Sequence, residues 1–232
     1  MDLLFDALRE AVRLLRTGDG EVYSITFRTA LITSASTLVA ALVGLPVGLG
    51  IALGRFPGQR VLLAMANAGT GLPPVVAGLL VAVLLWRSGP LGALGLMYTP
   101  WAMVIAQALI ATPLVVSFAA AGVMALPPSL HLQVRAMGAG AVQYLWFVAR
   151  EARLALLVAV MAGFGGVVSE VGAAMMVGGN LAGETRVLTT AAVLEVNRGN
   201  FGTALALGLI LLLLVIAVSA VLTTAQARVR RR

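Results

Sequence analysis

The sequence predicts an all-α, polytopic membrane bundle of about five transmembrane helices, with an N-terminal amphipathic helix and one polar helical loop. Three observations lead there. Mean hydropathy is +1.02, and 60% of residues are hydrophobic against 11% charged, where a soluble domain carries about 25% charged residues. Several apolar runs exceed the ~18–20 residues that a helix needs to cross ~30 Å of hydrocarbon. The runs do not alternate polar with apolar, so in lipid they satisfy their backbone groups as helices rather than as barrel strands.

Residues 1–20 form the first unit. Leu3, Leu4, Ala7, Leu8, Ala11, Val12 and Leu15 recur at helical spacing, while Asp2, Asp6, Arg9, Glu10, Arg13 and Arg16 fill the other face. The pattern is that of an amphipathic interfacial helix ended by Gly18 and Gly20. It serves either as an anchor packed on the first span or as a docking surface for an extracytoplasmic partner. Asp2 and Asp6 stand where a secretory signal would carry basic residues, and the first apolar run is too long for one.

Residues 21–232 hold the transmembrane unit. The first span covers about 29–53 and stops before the turn Gly54-Arg55-Phe56-Pro57-Gly58. The second covers about 61–86, with Pro73-Pro74 inside it, where two lost backbone donors force a kink. That kink either lines a path or gate or shapes packing. The third covers about 101–126, closed by Pro127-Pro128, and the fourth about 154–177, closed by Gly178-Gly179-Asn180. The fifth covers about 201–224 and precedes Arg228, Arg230, Arg231 and Arg232. The fourth span is rich in small residues, among them Gly163, Gly165, Gly166, Ser169 and Gly172, which suits close helix packing at the centre of a bundle or at a dimer interface.

Between the third and fourth spans, at about 127–153, lies the polar stretch containing RAMGAGAVQYLWFVAREAR. Pro127-Pro128 stops the third helix, Ser129 is placed to cap a short helix reaching about Met137, and a second helix starts at Ala141. Gly138 and Gly140 supply the bend between them. Such a knob either enters a groove on a soluble protein or rests at the headgroups through Tyr144, Trp146 and Phe147.

Arginines set the orientation. Arg55, Arg60, Arg135, Arg150, Arg153 and the four terminal arginines fall on one side of a five-span chain, nine in all; Arg28, Arg87, Arg186 and Arg198 fall on the other, with Arg9, Arg13 and Arg16 further upstream. The positive-inside rule makes the first side cytoplasmic, with the N-terminus outside and the C-terminus inside the inner (plasma) membrane. The net charge of +7 thus reports topology rather than nucleic-acid binding.

Absent residues narrow the chemistry. There is no cysteine, and His131 is the only histidine, so a thiol nucleophile and a multi-histidine metal site are excluded. All 16 basic residues are arginine, so no lysine is available for a phosphate-binding P-loop. The chain is therefore read as a non-enzyme without metal or cofactor; any ATP is hydrolysed by a separate subunit.

Glu170 is the one carboxylate inside a span. A charge near the membrane centre costs roughly 2.5–3.5 kcal/mol on insertion scales and calls for a partner; Arg186 and Arg198 are the candidates. A bare carboxylate repels an oxyanion, so Glu170 is assigned to a gate or an inter-helix pair rather than to substrate.

The polar loop resembles the cytoplasmic coupling loop of ABC importer permeases when aligned on Gly138, with Ala139 following and Val148 at the apolar position. It departs from that pattern where Leu132 replaces the acid, Gln133 and Val134 the alanines, and Glu151 the proline. A narrower resemblance runs along nearly the whole chain, to the permease subunit of tungstate-type importers, relatives of the molybdate systems. Its blocks are Gly71-Leu72-Pro73-Pro74-Val75-Val76, Arg87-Ser88-Gly89-Pro90-Leu91-Gly92, Met103-Val104-Ile105-Ala106-Gln107, Arg150-Glu151-Ala152-Arg153, Ser169-Glu170-Val171-Gly172-Ala173 leading into Val177-Gly178-Gly179-Asn180, and Thr185-Arg186-Val187-Leu188-Thr189-Thr190. The resemblance implies a type I ABC importer permease acting as a homodimer, with cytoplasmic ATPase subunits and an extracytoplasmic substrate-binding protein. It places Arg135, Gly138, Ala139, Val148 and Glu151 at the ATPase contact, and Pro73, Pro74, Glu170, Asn180 and Arg186 along the path or gate. The competing class is a secondary carrier or channel for small anions, which would be expected to show inverted repeats and more intramembrane ionisable groups.

Overall fold

The computed structural model describes residues 2–17 and 20–230. Gly18, Arg231 and Arg232 lie outside the described residues, as do the side chains of Asp2, Leu3, Leu4, Ala7, Leu15, Arg228 and Arg230. The elements are helices throughout: α1 (Asp2–Thr17), α2 (Gly20–Leu53), α3 (Gln59–Gly69), α4 (Pro74–Leu85), α5 (Pro100–Met124), α6 (Pro128–Ala136), α7 (Ala141–Glu151), α8 (Arg153–Val168), α9 (Gly172–Gly178), α10 (Leu188–Asn197) and α11 (Phe201–Arg230). Helices α2, α5 and α11 are each long and apolar enough to cross a bilayer. The bent pairs α3–α4 (102°) and α7–α8 (69°) are so only when each is taken as one span, so the count is three, or up to five; α7 itself falls in the polar loop expected between the third and fourth spans.

Helix α5 is the hub of the described bundle. Its face of Ala106, Ala111, Val115 and Ala119 is fully buried, and it packs on α2, α8, α3 and α9. Its most extensive packing is with α2, and that crossing is tight. A Cβ added at Gly44 would stand 2.8 Å from Val115 Cβ, and one at Gly48 would stand 2.8 Å from both Ala119 Cβ and the Val116 carbonyl oxygen. With no strong hydrophobic drive between helices in lipid, this backbone approach carries the packing. Ser36 reinforces it by donating to Gln107 Oε1 at 2.9 Å, both side chains being buried.

The second expected span is not a kinked helix but two helices. Thr70 closes α3, Pro73 caps α4 in extended conformation (φ −60°, ψ 126°), and Pro74 occupies its first turn. Proline at that position loses no intrahelical bond, and it drives the preceding residue out of the helical region. The fourth expected span is also divided, between α8 and α9 at residues 169–171. The two broken segments pack on each other: a Cβ at Gly78 would lie 2.6 Å from Ala173 Cα, and one at Gly172 would lie 2.9 Å from Val75 Cγ2.

The N-terminal helix differs from expectation in its partner. Ala11 and Leu14 of α1 join Val22, Ile25, Leu188, Ala206, Leu207 and Ile210 in one buried cluster, so α1 leans chiefly on α11 rather than on the first span. Phe5, Leu8 and Val12 remain exposed beside Arg9, Arg13 and Arg16.

Candidate functional site

The break at 169–171 leaves the first N–H groups of α9 without helical acceptors, and Glu170 supplies them. Its carboxylate accepts from Ala173 N–H at 2.6 Å and Ala174 N–H at 3.1 Å, while its side chain is almost wholly buried. This is the role of a capping carboxylate: two orphan donors are satisfied. The expected arginine partner is corrected by the structure. Arg186 pairs with Glu21 at 3.0 Å and Arg198 with Glu195 at 2.9 Å. Backbone donors a few residues away reach Glu170 without burying a guanidinium, which explains how this carboxyl sits within the bundle with no ion-pair partner among the described residues.

The loop that follows is sewn down by its own hydroxyls. Thr185, fully buried, donates to the Gly178 carbonyl at 2.5 Å and accepts from Leu181 N–H at 2.9 Å. Thr189 donates to the Glu170 carbonyl at 3.1 Å, and Thr190 accepts from Val187 N–H at 3.1 Å. From α2, Thr29 accepts from Leu188 N–H at 2.9 Å, and Arg28 donates to the carbonyls of Arg186 at 3.0 Å and Gly183 at 2.7 Å. Each residue of the block from Thr185 to Thr190 thus has a local task. Arg186 holds the loop against α2 through Glu21, and does not reach α9.

Pro73 and Pro74 start α4, whose Gly78 faces Ala173 of α9, so the proline break and the Glu170 break share one packing unit. Asn180 lies at the far end of α9 with φ 52°, after Gly179 at φ 69°. Asn180 Oδ1 is buried without a hydrogen-bond partner among the described residues. Tyr98, also left-handed at φ 61°, donates its N–H to the Val177 carbonyl at 2.9 Å and stacks edge-on with Trp86 at 6.5 Å. The sequence reading passed over Arg28, Thr29, Gly78, Tyr98 and Thr185; only the string of hydroxyls in the last block hinted at any of them.

The polar loop folds as the expected helix–turn–helix, with one change at its start. Pro127, not Ser129, caps α6, and Ser129 lies inside the helix. Gly138 makes the turn at φ 76°, a region open to glycine and costly for other residues. Gln143 Oε1 accepts the Gly140 N–H at 2.9 Å and closes the start of α7. His131 Nδ1 lies 2.8 Å from the Tyr144 hydroxyl, and the Arg135 guanidinium sits 5.0 Å from the Tyr144 ring centre, so Tyr144 clasps the two helices together.

Within that knob the expected contact residues separate. Val148 is fully buried with Leu49, Val123 and Ala152, fastening α7 to the ends of α2 and α5. Glu151 ends α7 and is exposed, as are Arg135 and Gly138. Ala139 is half-buried in a shallow concavity with Val134, Met137, Val142, Trp146 and Phe147. Met137 is 71% exposed, Val142 81% and Trp146 59%. The polar loop thus leaves three large apolar side chains outside the packed bundle.

Residues 44–232 match the family described as binding-protein-dependent transport system inner membrane component. The chain belongs to this family. Such a component works with a binding protein and with ATPase subunits on separate chains. Among curated proteins it is 36% identical over 226 residues to the tungstate uptake system permease protein TupB of Peptoclostridium acidaminophilum, covering 97% of this chain and 99% of that one. It is 38% identical to a probable anion ABC transporter permease protein of Haloferax volcanii, over 85% of this chain and 87% of the other. It is 35% identical to the TupB protein of Campylobacter jejuni, over 91% and 89%. Among solved structures, an inward-facing conformation of the MetNI methionine ABC transporter superposes with a TM-score of 0.69 at 23% identity, covering 88% of this chain and 93% of that one. The helical membrane-permease fold of this family is therefore the fold of the chain.

Proposed function

We propose that this chain is the membrane-spanning subunit of an ABC importer for a tetrahedral oxyanion, tungstate foremost. A binding protein outside delivers the anion, and ATPase subunits on the cytoplasmic side drive its passage. The observation that carries the reading is the similarity to two tungstate uptake permeases along nearly their whole length. The exposed Met137, Val142 and Trp146 give the ATPase its contact, with Gly138 setting the angle between the two helices. The subunit has no nucleotide site of its own and works as a homodimer, with the N-terminus outside. Charge supports that orientation: nine arginines flank the spans on the coupling side against four on the other, apart from the three further upstream.

The mechanism follows from the paired breaks. Helices α4 and α9 move as a unit because Gly78 and Ala173 are in backbone-distance contact. Glu170 keeps α9 capped while Thr189 ties the break to the outer loop. Docking of the knob is transmitted through buried Val148 to the ends of α2 and α5, the two helices on which the rest is built. Uptake of labelled tungstate by cells carrying the binding protein, this chain and its ATPase tests the reading. Tungstate uptake that depends on this chain is expected. Unchanged uptake after deletion of this chain overturns the transport role, and uptake of an unrelated anion alone overturns the substrate.

A further inference from the structure

At the coupling end of the bundle, a cavity of about 380 Å³ opens between the α2–α3 turn and the knob. Arg55, Gln59, His131, Arg135 and Tyr144 line it, and no carboxylate does. The backbone that carries Arg55 is fixed, and the Arg135 side chain has a partner. The turn bearing Arg55 is closed by Gly54 N–H to Gly50 O at 2.9 Å and by the Gln59 amide donating to the Ile51 carbonyl at 2.8 Å, with Gly58 at φ 91°. Arg135 rests on the Tyr144 ring, and the Tyr144 hydroxyl is in turn fixed by His131. No ion pair joins Arg55 or Arg135 to a carboxylate among the described residues.

Two guanidinium groups from different segments that share a cavity with no acid present fork-shaped donors to one anion. The cavity lies at the ends of α2 and α5, two helices long and apolar enough to cross a bilayer. Phe56 and Leu132 are exposed beside it, giving an apolar margin next to the charged wall. Basic cavities between helices at a membrane face hold anionic headgroups by this combination.

We propose that Arg55 and Arg135 form a binding site for a tetrahedral oxyanion group, taken either from the phosphate of an anionic phospholipid or from a free oxyanion. The site bridges the first loop and the knob, so occupancy steadies the knob against the bundle. It depends on α2 and α5 ending at the bilayer surface, and not on the identity of the transported substrate.

The test uses the full chain in phosphatidylcholine nanodiscs, with and without its ATPase. In one arm phosphatidylglycerol is added, and retained anionic lipid is counted by native mass spectrometry. In the other, inorganic phosphate or tungstate is titrated into phosphatidylcholine discs and the thermal midpoint is followed. Arg55→Gln should weaken the responding arm about fivefold, and Arg55→Gln with Arg135→Gln about 25-fold, from the contribution of one basic side chain beside anionic lipid. Arg55→Lys should restore most of it. Arg60→Gln, on the same side but outside the cavity lining, should leave it unchanged. A response in the first arm alone assigns a lipid headgroup, and one in the second alone a free oxyanion. No response in either arm, or an equal loss in Arg60→Gln, overturns the site. Because binding is read without transport, a failure here is distinct from a failure of tungstate uptake.

Discussion

Glu170 and Ala173 meet through a hydrogen bond of 2.6 Å from the Ala173 N–H to the carboxylate, across the break that divides α8 from α9. A side chain expected to seek a distant arginine instead caps the short helix that follows it. The sequence reading and the structure therefore predict opposite results in a double-mutant cycle. With Glu170 bonded to backbone, and Arg186 to Glu21 at 3.0 Å, Glu170→Gln and Arg186→Gln should have additive effects on melting of the purified protein. Glu170→Ala, which orphans two buried N–H groups, should cost about 1–3 kcal/mol, and Glu170→Gln less, since its amide oxygen can still accept one bond. Uptake should fall in both Glu170 variants. A coupling energy above roughly 0.5 kcal/mol between Glu170 and Arg186 would restore the arginine pairing.

Gly48 makes the second prediction. Its place against Ala119 Cβ and the Val116 carbonyl, each 2.8 Å from an added Cβ, leaves no room for a side chain, and a backbone oxygen cannot step aside as a rotamer can. Gly48→Val should destabilise the α2–α5 crossing by about 1–3 kcal/mol. Gly50, on the same helix with open space at its Cβ, should accept alanine and gain slightly in helix propensity. Detergent melting curves of the two variants check the contrast, and equal behaviour would mean that the crossing is not the tight contact.

How much was legible follows from which interactions are local. Apolar run length and the proline and glycine punctuation located the three long helices and the broken second span, and the Gly138 turn showed in sequence because its cause lies within the loop. The division of the second span was half visible: Pro73-Pro74 promised a kink, yet whether it opens into 102° depends on α9 packing against Gly78. The division at Glu170 was hidden, because the acid read as a charge in search of a countercharge rather than as a cap. Burial separated Val148 from Val142 and Trp146, and no one-dimensional pattern ranks three apolar residues on one short helix by their exposure. The pairing of α1 with α11 joins the two ends of the chain, and nothing in either segment specifies the other.

Glu195 gives a dependence on pH. In the polar turn between α10 and α11, the Asn200 amide donates to it at 2.7 Å and the Arg198 guanidinium at 2.9 Å. The Asn200 bond foremost, and then Arg198, hold its carboxyl below the ordinary glutamate value. A depressed folded-state pKa contributes stability that is present above the unfolded value of about 4.3 and is lost as pH falls through the folded one. Melting temperature should therefore drop a little further below about pH 4 in the wild type than in Glu195→Gln. Identical slopes in the two proteins would show that the pair contributes nothing.

Val142 and Val148, six positions apart on α7, separate docking from folding. Val148 is fully buried against Leu49 and Val123, whereas Val142 is 81% exposed on the concave face with Met137 and Trp146. Val148→Ala removes buried methyl groups and should cost about 2 kcal/mol of stability. Uptake per inserted molecule should then fall only as far as the folded fraction does. Val142→Asp places a charge in the middle of the exposed apolar face, where a partner would have to desolvate it without a counterion. Insertion and melting should match the wild type within about 0.5 kcal/mol, while stimulation of the partner ATPase and tungstate uptake should both fall at least tenfold. Trp146→Ala should act in the same direction, because large aromatic side chains at the centre of an interface carry much of its energy. If Val142→Asp stimulated the ATPase normally, the exposed face of α7 would not be the docking surface, and the contact would have to lie on α6 around Leu132.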